Sequence, residues 1–153
     1  MKVRRIMISF LEKVRTSNYN LTTFNKIRNS IMIFIFGILL GIFSKWLDNL
    51  SLNDSIWWQH ILGILNLNNV FSSFGVWILI AVCISIYSNS PLRASINVFV
   101  CFIGMGLSYH IYTIGFAGFN PRNYMLIWYS ITLISPFMAF VVGMLKVVEL
   151  LHL

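Results

Sequence analysis

The sequence predicts an all-α polytopic membrane bundle of four transmembrane helices, with an amphipathic helix before the first span and a short interfacial helix in the first outer loop. Composition is the first reason: 58% of the 153 residues are hydrophobic and 10% are charged, with a mean hydropathy of +0.81. A soluble domain carries roughly 25% charged residues, so this chain lacks the polar surface to coat a water-exposed body. The other reasons are four long apolar stretches and the absence from them of the alternation typical of barrel strands.

Residues 1–29 form the predicted N-terminal segment, a basic amphipathic helix on the cytoplasmic side. Seven of the eleven Lys and Arg residues lie here. Val3, Met7, Phe10 and Val14 share one helical face, and basic residues occupy another. Such a helix lies on the bilayer surface and is attracted by anionic lipid. Because membrane proteins accumulate basic residues at this position for topology alone, we expect no nucleic-acid partner.

Residues 30–153 form the predicted transmembrane domain. A span needs about 20 mostly apolar residues, with a range of roughly 17 to 25. Four stretches meet this requirement, at about residues 30–47, 70–87, 94–116 and 124–145. Each should be helical, because in lipid the backbone polar groups must be satisfied within the segment.

The orientation follows from the basic residues that flank the spans. With a cytoplasmic N-terminus, nine Lys and Arg residues lie inside, while Lys45 and Arg122 lie outside. This distribution obeys the positive-inside rule and predicts a multi-pass protein of the cell membrane with both termini in the cytoplasm. The first outer loop, residues 48–69, carries paired tryptophans beside apolar residues, which predicts the interfacial helix.

Five polar side chains near the outer ends of the spans form the predicted site: Lys45, Asp48, His110, Tyr112 and Arg122. Ionisable side chains within a membrane are functional candidates, because their burial is costly. Lys45 and Asp48 are three residues apart, so they should pair along one helical face. Two interpretations stay open: a polar cavity that opens outward, or an aromatic belt whose polar groups satisfy one another.

The residues give little support to a cofactor, a metal or an enzyme. Cys83 and Cys101 lie within apolar runs and are expected to be core residues. The His and Asp residues lack the short spacing of a zinc site, so we expect no metal and no cofactor. The chain has four Asp and Glu residues and no catalytic motif, which leaves Asp48 and His110 as the one outer-face pair for acid and base chemistry.

Small residues at four-residue spacing predict close helix packing, because they let helix backbones approach one another. They occur in the first, third and fourth spans: Gly37, Gly41, Gly104, Ser108, Ser135, Ala139 and Gly143. The stripes serve packing within the bundle or docking of a partner. Pro136 should kink the fourth span, because proline removes a backbone donor and clashes with the preceding turn.

Two segments carry a resemblance to other proteins. GILLGIFSKWLDN, residues 37–49, and FNPRNY, residues 119–124, followed by Trp128 and by Ser135 and Pro136, resemble an uncharacterised group of small bacterial polytopic membrane proteins. The resemblance extends from residue 37 to residue 143. It implies a location in a bacterial cell membrane, and it implies no activity or functional residue.

Two functions are therefore expected ahead of others. The first is a small transport or permeation component, in which the five polar residues line an outward cavity and the kinked fourth helix gates it. The second is a non-catalytic accessory protein that packs against a membrane-protein partner, or against a second copy of itself, through the small-residue faces. A membrane-embedded enzyme is the third and least supported hypothesis.

Overall fold

The structure, a computed structural model, describes residues 22–49, 57, 74–118 and 122–151. All regular secondary structure in these residues is helical, which confirms the all-α prediction. Four helices follow one another: α1 (Thr23–Asp48), α2 (Phe74–Tyr87), α3 (Pro91–Ala117) and α4 (Arg122–Leu151). Residues 23–29 of the predicted N-terminal segment continue α1. Residues 1–21 of that segment, and all of the predicted interfacial helix except Trp57, lie outside the described residues.

Three helices, α1, α3 and α4, are long and apolar enough to cross a membrane. Helix α2 is apolar but has 14 residues. At 1.5 Å per residue it extends about 21 Å, whereas the hydrocarbon core of a bilayer is about 30 Å thick. Residues 70–73 of the predicted second span lie outside the described residues, so the structure supports three spans and leaves the fourth as a prediction.

The outside of the described bundle is strongly apolar. Phe137 is 74% exposed, Ile111 69% and Leu79 63%, and many other large hydrophobic side chains are exposed as well. A water-soluble monomer rarely presents apolar patches of this extent, because they favour removal from water. The surface of the fold therefore suits lipid.

Helix α3 is central to the packing. Helices α1 and α4 both pack along it, and the shorter α2 packs against α3 and α4. The buried core between them includes Trp77, Val98, Phe102 and Trp128. The rings of Trp77 and Trp128 meet edge to face with centroids 5.9 Å apart, an arrangement that aromatic pairs prefer.

The start and end of α3 follow from local sequence. The Ser90 side chain accepts a hydrogen bond from the backbone N–H of Arg93 at 3.3 Å, and Pro91 occupies the first helical turn. Proline suits this position because its missing donor would have no helical partner there. Gly118 ends the helix with a φ of 69°, a left-handed conformation that glycine adopts without strain.

All seven small residues predicted to mediate close packing are buried within the single chain. A Cβ built on Gly37 would overlap the carbonyl oxygen of Cys101, and one on Gly41 would overlap Ser108. Ser108 itself donates a hydrogen bond of 3.1 Å to the carbonyl oxygen of Ile38 on α1. The face of Gly37 and Gly41 thus serves contact between α1 and α3, and Gly143 on α4 lies against Pro91 of α3.

Helix α4 continues through Pro136. Proline lacks the N–H that would bond the carbonyl oxygen four residues earlier, that of Thr132. The Ser135 hydroxyl donates to this oxygen at 2.9 Å and replaces the missing donor. Ser95 on α3 donates to the Pro136 carbonyl oxygen at 2.8 Å, which fixes this turn against α3. The kink predicted at Pro136 stays a prediction.

Candidate functional site

The first polar cluster, which we call the Asp48 cluster, consists of Lys45, Asp48 and Tyr109. Lys45 is only 5% exposed, and its Nζ lies 3.9 Å from the Asp48 carboxylate and 5.2 Å from the centre of the Tyr109 ring. The Tyr109 hydroxyl donates to the same carboxylate at 2.8 Å. The predicted pairing of Lys45 with Asp48 is confirmed, and the ring offers the ammonium a further favourable contact.

The other predicted site residues lie elsewhere. His110 Nδ1 is 2.8 Å from the Tyr129 hydroxyl, so this side chain faces α4. The Tyr112 ring stacks on Phe116 with centroids 4.8 Å apart. Arg122 is exposed at the start of α4. The structure therefore brings two of the five residues together and adds Tyr109 to them.

The space beside the Asp48 cluster is small. A cavity of 20 Å³, bordered by Ser44, Tyr109, Tyr124 and Trp128, lies next to it. A volume of about 10 to 15 Å³ is enough to hold one water molecule, so this cavity fits water and excludes a larger solute. The described residues at this position form an internally satisfied cluster.

A series of linked hydrogen bonds lies at the end of the bundle opposite the Asp48 cluster. We call this end the Arg93 end. Arg93 Nη2 donates to the Lys26 carbonyl oxygen at 2.5 Å and to the Ser30 hydroxyl at 3.2 Å. Ser30 donates to Asn97 Oδ1 at 3.0 Å, and Asn97 Nδ2 donates to the Ser88 hydroxyl at 3.1 Å. These hydrogen bonds connect α1, α3 and the turn between α2 and α3, and so hold these elements together at this end.

A cavity of 540 Å³ lies beside these hydrogen bonds, between α1 and the end of α2. Both helices pack on α3 or α4 and make little direct contact with each other, which leaves the space open. The polar part of its wall includes Lys26, Asn29, Asn89, Arg93 and Asn97. Ligand pockets in proteins have volumes of about 300 to 1,000 Å³ and a few converging polar groups. We call this space the Arg93 cavity.

The Arg93 cavity has a positive electrostatic character. Among the described residues, the Arg93 side chain donates from Nη2 alone, which leaves Nε and Nη1 for other acceptors. Lys26 adds a second positive side chain to the wall. Of the side chains that the structure describes, Asp48 carries the one carboxylate, and it lies 22 residues, or about 33 Å, away along α1.

Sequence reasoning missed this cavity, although a signal was present. Lys26 and Ser30 are four residues apart, as are Arg93 and Asn97, and this spacing places each pair on one helical face. Two such polar pairs at the same end of apolar helices indicate polar faces turned toward each other. Their meeting also depends on how α1 crosses α3, which no local pattern reports.

Metal ligands do not gather in the part of the chain that the structure describes: no three His, Cys, Asp or Glu side chains form a group there. No protein-family model, curated protein or solved structure matches the chain. Fold and surface together define a class, a helical protein with three helices long and apolar enough to cross a membrane and a positive cavity at one end.

Proposed function

We propose that the chain is a multi-pass protein of a bacterial cell membrane, with four spans and both termini in the cytoplasm. The nine-to-two distribution of basic residues supports the orientation, and the resemblance of residues 37–49 and 119–124 supports the bacterial membrane. The Arg93 end then faces the cytoplasm. The basic amphipathic helix before α1 lies on anionic lipid of the same leaflet.

Its function, in this proposal, is to bind an anionic ligand in the Arg93 cavity, as a small transport or permeation component. The observation that carries it is a cavity of 540 Å³ whose wall holds Lys26 and Arg93 and, among described side chains, no carboxylate. A charge near a membrane interior requires a partner, and an anion would supply it. The site is therefore cytoplasmic, in place of the outward cavity first expected.

The outward cavity has weaker support because its expected residues engage one another or neighbouring rings. Lys45 and Asp48 pair within the Asp48 cluster, and the nearby 20 Å³ cavity holds no more than water. The enzyme hypothesis loses its acid and base pair for the same reason, since Asp48 bonds Tyr109 whereas His110 meets Tyr129.

The alternative, an accessory protein that docks a partner or a second copy, needs a different surface from the one first expected. The seven small residues are buried inside the single chain, where α1, α3 and α4 use them. A partner that binds the outside of the bundle would have to contact the large apolar side chains that otherwise face lipid.

Native mass spectrometry of the protein extracted from its own membrane tests the proposal. We expect a stoichiometric anionic molecule on the wild type, lost in Lys26→Gln and kept in Arg28→Gln. Arg28 is exposed on the same helix and does not line the cavity, so both variants lose one positive charge and only one changes the site. A stoichiometric protein partner without a small ligand would overturn the proposal and favour the accessory protein.

A further inference from the structure

We infer that the ligand of the Arg93 cavity is an anionic phospholipid of the surrounding leaflet, with its phosphodiester at Lys26 and Arg93 and an acyl chain between α1 and α2. This inference rests on the proposed function, because it names the ligand of the same cavity. Three observations lead to it: where the cavity opens, how its polarity changes with depth, and which charges line it.

The cavity opens sideways, toward lipid. Its wall on α1 includes Met32, which is 64% exposed, and its wall on α2 includes Tyr87, which is 60% exposed. Cys83, one turn before Tyr87, lines the cavity and is exposed as well. Exposed apolar side chains on the flank of a membrane bundle contact lipid, so a lipid molecule reaches this space without leaving its leaflet.

The polarity of the wall follows that of a phospholipid. Lys26 and Asn29 lie at the α1 end of the cavity, and Met32 and Ile33 lie deeper. Lys26 and Ile33 are seven positions apart, which corresponds to about 10 Å along the helix. On α2 the apolar Ile84 also lines the cavity, and the polar Asn89 follows the end of this helix, at the same end of the bundle as Arg93. A charged head group at the end and a hydrocarbon chain below it match this gradient.

The charged groups suit a phosphate. Arginine presents a planar set of donors that bonds phosphate oxygens in pairs, and lysine supplies a point charge. Two of the three guanidinium nitrogens of Arg93 have no acceptor among the described residues, while Nη2 fixes the group to α1. Basic pockets between transmembrane helices on the cytoplasmic side are typical binding sites for anionic head groups.

Free phosphate shares this chemistry, yet it would leave the apolar half of the cavity unused. The side chains of Met32, Ile33 and Ile84 would make no favourable contact with a small anion. The apolar part of the cavity would then be filled with water, which is unfavourable for apolar side chains. A lipid chain fills this space and removes that apolar area from water. We therefore commit to the lipid.

Cys83 provides a position for a probe inside the cavity wall. The chain has two cysteines; Cys83 is exposed and Cys101 is buried, so we expect a small thiol-reactive fluorophore to label Cys83 in preference to Cys101. The full-length labelled protein is reconstituted in phosphatidylcholine vesicles that contain 20 mol% of phosphatidylglycerol, about one lipid in five. In matched samples either the phosphatidylglycerol or the same amount of phosphatidylcholine carries brominated chains, which quench nearby fluorophores.

We expect brominated phosphatidylglycerol to quench the probe more than brominated phosphatidylcholine does. Removal of one positive charge in Lys26→Gln should lower this preference about fivefold, as should Arg93→Gln. Arg28→Gln should retain it, because Arg28 does not line the cavity. Lys26→Gln is the more informative of the two variants, because it should leave folding intact. Arg93 bonds the Lys26 backbone carbonyl and not the Lys26 side chain.

Three other results would overturn the inference. An equal loss in Lys26→Gln and Arg28→Gln would assign the preference to general surface charge. No preference in the wild type, together with quenching changes on addition of inorganic phosphate, would assign the cavity to a soluble anion and leave the proposed function intact. No response to either ligand, with no anion found by mass spectrometry, would overturn both.

Discussion

The Tyr109 hydroxyl donates a hydrogen bond of 2.8 Å to the carboxylate of Asp48 and so joins α3 to α1 at a distance of 61 residues in sequence. We expect Tyr109→Phe to lower the free energy of unfolding by about 1 kcal/mol, because the carboxylate loses a donor and keeps Lys45 as its partner. Thermal unfolding in detergent measures this loss. Tyr112→Phe is the control, since the Tyr112 ring stacks on Phe116 and should tolerate the change; equal losses would contradict the assignment.

Alanine substitutions at two glycines, Gly37 and Gly115, should change the free energy of unfolding in opposite directions. A Cβ at Gly37 would overlap the Cys101 backbone, so Gly37→Ala should destabilise the bundle by about 1 to 3 kcal/mol. Gly115 has open space around it, and Gly115→Ala should leave stability unchanged or raise it by about 1 kcal/mol through helix propensity. The two variants are compared by unfolding in a denaturing detergent. A mass measurement on the same samples establishes that the protein is monomeric. A loss seen only in an oligomer would instead support docking through Gly37.

The hydroxyl of Ser135 compensates for the missing donor of Pro136, and a double-mutant cycle measures this. Ser135→Ala should cost on the order of 1 kcal/mol in the wild type, because the Thr132 carbonyl oxygen loses its donor. In a Pro136→Ala background the restored backbone N–H should remove most of that cost. An unchanged cost in both backgrounds would show that Ser135 acts through packing alone.

The series of linked hydrogen bonds at the Arg93 end should be sensitive to its central member. Asn97→Ala removes the acceptor of Ser30, in a partly buried bond, and the donor to Ser88, in a buried one, and should cost about 1 to 3 kcal/mol. Asn29 also lines the cavity but is exposed, and Asn29→Ala should cost much less. Thermal unfolding of the two variants in the same detergent tests the difference; similar stability would contradict the importance of these hydrogen bonds.

The two cysteines should differ in reactivity. Cys83 is exposed and Cys101 is buried at 1% exposure against α1. A small maleimide should therefore add once to the folded protein and twice after denaturation, as read from intact mass. Cys83→Ser should abolish the addition to the folded protein. A second rapid addition without denaturant would show that α3 is less closely packed than described.

The sequence was sufficient to predict the helical class and the pairing of Lys45 with Asp48. Both depend on local patterns: apolar runs of a given length, and a three-residue spacing on one helix. Helix α1 is longer than the apolar run that predicts it, because the mostly polar residues 23–29 continue its hydrogen bonding. The apolar run alone therefore does not predict the residue at which the helix begins.

The candidate site was beyond local patterns. Tyr109 meets Asp48 because α1 and α3 run side by side, and His110, its neighbour on α3, points to a different helix. Five polar residues at one depth therefore separate into different contacts around the bundle. The Arg93 cavity arises from the gap between α1 and α2, which depends on the crossing of whole helices.

The central position of α3 has a consequence for how the chain enters a membrane. Of the described helices, α3 is the one against which α1 packs extensively, and 42 residues separate the end of α1 from the start of α3. During synthesis α1 is therefore complete before its partner exists, and Lys45 has Asp48 as its nearby counter-ion in that interval. In the proposed membrane topology, the ion pair within α1 would neutralise the charge of Lys45 before α3 is synthesised and Tyr109 completes the cluster.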